Sequence, residues 1–269
     1  MKQIFVCAGE ASGDLHASAL IHALQSRRPD LEFFGLGGEL MAAVGVELLY
    51  NLHDLAVTGF WEVAKRFGHF RKVYRRTLRE IDARRPDLIL LVDYPGFNLR
   101  LATNLKRQGY KIAYFILPQV WAWKPARIRR LEENADLLLA ILPFEPPLFD
   151  PSMVRCEFVG HPLLDLINSN SGDNAFKRKN SIAENQRIIA LLPGSREVEI
   201  NRHYLVMLEV IKAISAEFAD IVPVTLVRNE IDTVLYRAIE QKSGVTSHHC
   251  QRDRYGLLRA AECSLVASG

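Results

Sequence analysis

Short runs that are apolar at nearly every position alternate along this chain with longer stretches whose apolar residues recur every three or four positions. The first kind comprises residues 3–8 (QIFVCA), 87–92 (DLILLV), 111–116 (KIAYFI), 136–142 (DLLLAIL), 187–192 (RIIALL), 221–227 (IVPVTLV) and 263–267 (CSLVA). A strand without polar alternation suits a parallel sheet covered on both faces. The second kind, about 12–27, 59–84, 97–108, 125–133, 199–218, 230–242 and 252–261, has the spacing of amphipathic helices. Strand and helix in alternation predict an α/β protein with doubly wound, Rossmann-like sheets.

The rhythm breaks once. Residues 168–186 (NSNSGDNAFKRKNSIAENQ) are polar and crowded with Ser, Asn and Lys, the composition of a linker with a short irregular helix. The expected division is a first domain over 1–169, a linker over 170–186 and a second Rossmann-like unit over 187–269. The last strand runs into Ser268-Gly269. In a doubly wound fold a helix follows such a strand, and its N-terminus is where a ligand phosphate sits. The second unit is therefore expected to be incomplete within these residues.

Apolar residues make up 49% and charged residues 24%, the profile of a soluble globular protein. The 34 basic and 31 acidic residues leave a net charge of +3, too mild to mark a nucleic-acid binder. No run approaches the ~18 apolar residues of a membrane span. Met1 to Cys7 run straight into a strand, without the pattern of a secretory signal. The four cysteines include no Cys-x-x-Cys, and the eight histidines show no His-Glu-x-x-His. No metal site is expected, and a reducing, cytoplasmic setting fits best.

Ligands of open parallel sheets bind beyond the carboxyl ends of the strands. Gly9-Glu10-Ala11-Ser12-Gly13-Asp14 follows the first run. Its glycines permit a sharp turn, and Ser12 or Asp14 could cap the next helix. It is neither a dinucleotide fingerprint nor a P-loop; Gly35-Leu36-Gly37-Gly38, after the second strand, is misplaced for that fingerprint. Asp93-Tyr94-Pro95-Gly96-Phe97-Asn98 places a carboxylate where a general base or an N-cap would stand. In Pro118 to Lys124, extended alternation would put Trp121 and Trp123 on one face, for sugar stacking or for the core. In Leu192-Pro193-Gly194-Ser195-Arg196, a turn with Ser and Arg suits a diphosphate or is an ordinary surface turn. His161 stands in Gly160-His161-Pro162, and His248-His249 reads as part of a strand. Residues 59–85 gather Lys65, Arg66, Arg71, Lys72, Arg75, Arg76, Arg79, Arg84 and Arg85 beside Trp61, Val63, Phe67, Phe70, Tyr74 and Ile81. Such a stretch suits an anionic membrane surface, a nucleic acid, or simply solvent.

The loops resemble, in order, those of the lipid-A-disaccharide synthase family, glycosyltransferases of the two-Rossmann-domain GT-B type. The matching segments are GEASGD (9–14), VDYPGFN (92–98), PQVWAWKPARI (118–128), LPFEPPLFD (142–150), FVGHPLLD (158–165), LLPGSREVE (191–199) and ASG (267–269). The resemblance implies transfer of a sugar from UDP-2,3-diacylglucosamine to the 6-hydroxyl of 2,3-diacylglucosamine 1-phosphate, with inversion and without a metal or other cofactor. The products are UDP and a β-1′,6-linked lipid A disaccharide. It implies Asp93 as the base and Glu10 as a second active-site acid. It places Gly194, Ser195, Arg196, Ser268 and Gly269 at the donor, and Gly9, Ser12, Gly13, Asp14, Asn98, Trp121 and Trp123 in the acceptor loops. Trp61, Lys65, Arg66, Phe67, Phe70, Arg71 and Lys72 fall in a part thought to face the membrane. The implied setting is cytoplasmic, peripheral on the inner membrane of a Gram-negative bacterium, with no nucleic-acid partner. The family continues past ASG with further UDP contacts and with a part that in some members takes part in homodimer exchange, so a chain ending at Gly269 is expected to bind UDP poorly. The competing expectations are a UDP-sugar transferase or epimerase with a soluble partner, and a non-enzymatic basic module that binds nucleic acid.

Overall fold

The computed structural model describes residues 2–51, 63–121, 126–168, 173–227, 233–251 and 253–267. The chain divides into two compact units, Met1–Pro162 and Leu163–Gly269.

The first unit runs β1 (Lys2–Ala8), α1 (Ala11–Arg27), β2 (Leu31–Gly37), α2 (Glu39–Ala43), β3 (Glu47–Asn51), α3 (Val63–Arg84), β4 (Leu88–Val92), α4 (Pro95–Arg107), β5 (Ile112–Phe115), α5 (Ala126–Asn134), β6 (Leu137–Ala140), a 3-10 turn at Pro146–Leu148 and β7 (Arg155–Phe158). Its seven strands pair in parallel in the order β3-β2-β1-β4-β5-β6-β7. The winding reverses between β1 and β4, where Ile4 pairs with Leu88 and Ala8 with Val92. The two faces of these apolar strands feed separate clusters. Phe5, Cys7, Ile89, Leu91 and Tyr114 pack with Val73 and Ile81 of α3 and Phe97, Leu101 and Leu105 of α4. Val6, Ala8, Leu90 and Val92 pack with Ala17 and Ile21 of α1 and Met41 of α2. Prolines set several boundaries: Pro29 and Pro86 follow the ends of α1 and α3, and Pro95 opens α4.

The second unit runs α6 (Leu163–Asn168), α7 (Asp173–Lys179), β8 (Arg187–Leu192), α8 (Glu197–Glu217), β9 (Ile221–Leu226), α9 (Thr233–Ser243), β10 (His248–Cys250), α10 (Arg254–Ala260) and β11 (Ala261–Val266). Its four parallel strands stand in the order β10-β9-β8-β11, so this sheet also reverses its winding, between β8 and β11. Ile189 and Leu191 face Ile200, Tyr204 and Leu208 of α8, while Ile188 and Ala190 face Phe176 of α7 and Leu257 of α10.

The alternating pattern thus reads correctly as doubly wound α/β. Three of its readings change. The polar stretch over 170–186 holds the short helix expected of it, α7, but is part of the second unit rather than a linker, with Phe176 and Ile182 buried in that unit's core. Two apolar residues among many polar ones suffice when both land on one face. Gly35-Leu36-Gly37 does not follow the second strand but lies inside it. Gly35 is required there: at φ +155° it faces Val6, and a Cβ would stand 1.8 Å from the Val6 carbonyl oxygen. Strands β3 and β7 lie at the sheet's two edges and none of their residues is fully buried, so neither is an apolar run.

Candidate active site

At the reversal of a doubly wound sheet both strands end on the same side and the helices that follow them leave toward opposite faces, so the two loops border a crevice. In the first unit these are the loops after β1 and β4.

After β1 the chain turns at Gly9 and enters α1. A Cβ on Gly9 would stand 2.0 Å from the Tyr94 ring, so glycine lets the two loops touch. Gly13 is buried, and a Cβ there would stand 3.4 Å from the Ala8 Cβ and 3.8 Å from the Val92 carbonyl oxygen, ordinary contacts. Glu10 and Ser12 are exposed, and Glu10 makes no side-chain cap on α1. Asp14 differs from the sequence reading. It is buried and caps α2 rather than α1, accepting the Gly38 N–H at 2.7 Å, Leu40 N–H at 3.1 Å and Met41 N–H at 3.1 Å. A carboxylate spent on three N–H groups at a helix N-terminus serves the fold.

After β4, Asp93 and Tyr94 both adopt left-handed backbone, at φ +45° and +47°. That conformation costs an L-residue roughly 1–2 kcal/mol, most for a ring-bearing one. Asp93 is therefore not the N-cap; Tyr94 takes that position, and Pro95 begins α4. The Asp93 carboxyl is half-buried, and burial pushes its pKa up. The charge of Glu10 raises it further, and a hydrogen bond from the Tyr94 backbone pulls it partly back. Glu10 and Asp93 are thus electrostatic neighbours contributed by the two strands at the reversal. The Tyr94 ring stacks on Phe97 at 5.9 Å, and Phe97 meets Phe70 and Tyr74 of α3 at 5.2 and 5.4 Å. Phe70 is therefore partly buried against the core, away from the surface role the resemblance implies for it.

Asn98 also departs from expectation. It is wholly buried, and its amide nitrogen donates to the carbonyls of Cys7 (3.2 Å), Val92 (3.2 Å) and Asp93 (2.8 Å). It cannot reach an acceptor. Tyr114, which the sequence reading missed inside an apolar strand, donates its hydroxyl to the Asp93 carbonyl at 2.7 Å. Trp121 is half exposed and meets Phe144 edge-on at 5.5 Å; its indole is available at the surface. Glu145 of the LPFEP segment is buried and accepts the Ile141 and Leu142 N–H groups, holding the loop after β6. His161 places its ring 6.3 Å from that of His16 on α1, at right angles.

In the second unit the loop after β8 holds Gly194 at φ +129°, Ser195 and Arg196. Its N–H groups are already engaged: Glu199 of α8 accepts from Ser195 at 2.7 Å and Arg196 at 3.2 Å. Those bonds, the Ser195 N–H first, hold the Glu199 carboxyl below its ordinary pKa. A Cβ on Gly194 would stand 2.5 Å from that of Glu199. The Arg196 guanidinium is 81% exposed, meets Glu199 at 3.3 Å, and can turn toward an anion.

On α3, Arg71, Lys72, Arg75, Arg76 and Arg79 share a stripe beside Tyr50, lining a hollow of about 550 Å³. Arg76 lies over the Tyr50 ring at 5.0 Å. Among the described residues, Arg71, Lys72, Arg75 and Arg79 enter no ion pair, whereas Arg84 pairs with Glu47 and Glu80. Trp61, Trp123, Ser268 and Gly269 lie outside the described residues, as do the side chains of Lys65, Arg66 and Phe67. Also among the described residues, no three His, Cys, Asp or Glu side chains converge as a metal site requires, and no helix is long and apolar enough to cross a membrane.

Comparison with known proteins agrees in fold and sequence. The S. aureus MnaA structure with UDP has a TM-score of 0.68 at 14% identity, covering 100% of this chain and 74% of that one. UDP-GlcNAc 2-epimerase from Neisseria meningitidis, bound to UDP-GlcNAc, has a TM-score of 0.66 at 11% identity, covering 100% and 78%. At such identities the likeness is one of fold. Sequence relatives are nearer. Lipid-A-disaccharide synthase of Myxococcus xanthus is 38% identical over 267 residues, which span 99% of this chain and 70% of the relative. That of Syntrophus aciditrophicus is 36% identical over 269 residues, spanning 100% and 70%. The family described as lipid-A-disaccharide synthetase matches residues 4–269, and the chain belongs to it.

Proposed function

We propose that this protein is the glycosyltransferase its family name describes: it joins two acylated glucosamines, taking one from its UDP derivative and attaching it to the 6-hydroxyl of 2,3-diacylglucosamine 1-phosphate. The observation that carries the reading is the carboxylate pair at the reversal of the first sheet. Asp93, with its pKa raised by burial and by Glu10, is a stronger base than an ordinary aspartate. It takes the proton of the acceptor hydroxyl as that oxygen attacks the anomeric carbon. One displacement inverts the centre, so a single base and a stabilised leaving group suffice. Arg196 is the donor-side cation: its planar fork matches diphosphate oxygens and neutralises the charge that develops as UDP departs. Glu199 keeps the Gly194–Arg196 turn in shape beneath it.

Both substrates carry acyl chains, so the enzyme works at a lipid surface. The cationic stripe of α3 supports peripheral attachment to an anionic inner membrane. Dimerisation belongs to the same family-based reading.

The test is disaccharide formation by the full-length gene product from the two acylated sugars, followed by product mass and UDP release. Turnover with both and loss of turnover in Asp93→Asn is expected. Retained turnover in Asp93→Asn removes the base assignment. The second reading, a UDP-sugar enzyme with a soluble partner, draws on the epimerase fold likeness. It predicts equal turnover of de-acylated substrates. Salt-dependent RNA or DNA binding without sugar transfer would favour a nucleic-acid module instead.

A further inference from the structure

We infer that Tyr114 and Asn98 are positioning residues for the Asp93 carboxylate, acting together through its main-chain carbonyl. The inference rests on Asp93 being the base. Three observations lead to it. Asp93 and Tyr94 are successive left-handed residues, and neither is glycine or asparagine. Such a conformation persists only where the surroundings over-determine it. The Asp93 carbonyl accepts the Tyr114 hydroxyl at 2.7 Å and the Asn98 amide at 2.8 Å. Both donors are fully buried, so neither can touch a substrate.

The grip reaches both strands of the reversal. The Asn98 nitrogen also donates to Val92 at the end of β4 and to Cys7 in β1, and so ties the base's peptide to the strand that delivers Glu10. An inverted amide would set an oxygen against three carbonyls, so the orientation is fixed by its partners. Tyr114 stands on β5, next to β4, and its ring fills the core beneath the turn. Its hydroxyl is the only polar atom of that side chain, and it is spent on Asp93. With the carbonyl held at two points, the peptide cannot rotate, and the carboxylate stays where burial and Glu10 raise its pKa. A base displaced by about 1 Å can cost about a hundredfold in rate.

Tyr114→Phe keeps the ring and removes the hydroxyl. In the full-length protein kcat is expected to fall at least about tenfold with KM for both sugars within about twofold. Far-UV circular dichroism should match the parent at the assay temperature. The acid limb of the kcat profile should move to lower pH, because a freed carboxylate gains water and drops toward its ordinary pKa. A purely structural tyrosine would lower the melting temperature and leave the pH profile in place. Should Tyr114→Phe lose the parent's circular dichroism, the same measurements on Asn98→Ala decide. An unchanged kcat in the folded variant overturns the inference. Asp93→Asn, run alongside, separates the two failures: turnover kept there removes the base, whereas turnover lost there but kept in Tyr114→Phe removes the grip alone.

Discussion

At Asp93, catalysis and stability pull in opposite directions. Its folded pKa lies above the ordinary 3.8, first through burial and then through Glu10. The folded protein therefore holds the Asp93 proton more tightly than the unfolded chain does, and ionisation weakens the fold. That penalty is absent below the unfolded pKa and grows in full as pH rises through the folded one. Asn has no charge to bury and tolerates left-handed backbone well. Asp93→Asn should thus melt at a higher temperature than the parent at pH 7, with the gap closing toward pH 4, while turnover is lost. Thermal melts at the two pH values decide; equal melting at pH 7 would mean that the carboxylate is well solvated. The residue scale is also where the sequence was most ambiguous. Spacing offered Asp93 a base or a cap and Asp14 a cap or a place in a ligand-binding loop, and the structure separates them by partners: three N–H groups for Asp14, a charged neighbour for Asp93. Tyr114 gave no signal, since a tyrosine in a run of Ile, Ala and Phe reads as core until its hydroxyl finds the Asp93 carbonyl.

Elements were legible where burial is symmetrical. β4, β8 and β9 lie between two other strands and announce themselves as apolar runs, because helices cover both faces. β2 is equally interior but hid behind glycines, since its closeness to β1 forbids a side chain at Gly35. Gly35→Ala should therefore cost about 3 kcal/mol or more, because backbone and not a flexible side chain must move. Urea unfolding would show it as a lowered midpoint at unchanged slope. A near-parental midpoint would mean that β1 and β2 can part locally. The helix α3 was read correctly as amphipathic, but its two faces divide the labour more sharply than composition could tell. Val73 and Ile81 are buried, and Phe70 and Tyr74 pack on Phe97, whereas Arg71, Lys72, Arg75 and Arg79 carry charge that no carboxylate among the described residues neutralises. Changing these four to Ser should weaken binding to anionic vesicles severalfold at low salt and little at high salt, with helicity retained. Salt-independent binding equal to the parent's would mean that the stripe is only solvated.

The whole molecule has two sheets, each with its own reversal and its own pair of apolar clusters. A protein that divides its core in this way need not unfold in one step. The second unit offers a lever for testing this, since its interior holds a closed polar network. Glu240 accepts the hydroxyls of Tyr204 (2.7 Å) and Ser247 (2.8 Å) and meets His249 Nε2 at 2.8 Å. Thr225 joins Tyr204 and Ser247 at 2.9 and 2.7 Å. Burial pushes the Glu240 pKa up, but the bonds from Tyr204, His249 and Ser247 outweigh it, and the net shift is downward. Its stabilising contribution is therefore present above the ordinary 4.5 and lost as pH falls through the depressed value. Glu240→Ala leaves buried hydroxyls without their acceptor and should cost about 2–4 kcal/mol near neutrality, the deficit shrinking in acid. The chain's three tryptophans, at 61, 121 and 123, all lie in the first unit. Tryptophan fluorescence thus follows that unit alone, while circular dichroism follows both. Glu240→Ala should split the urea transition, moving part of the dichroism to lower denaturant and leaving the fluorescence midpoint in place. If fluorescence moves by the same amount, the two cores melt as one, and the division seen in the sheets is architectural without being energetic.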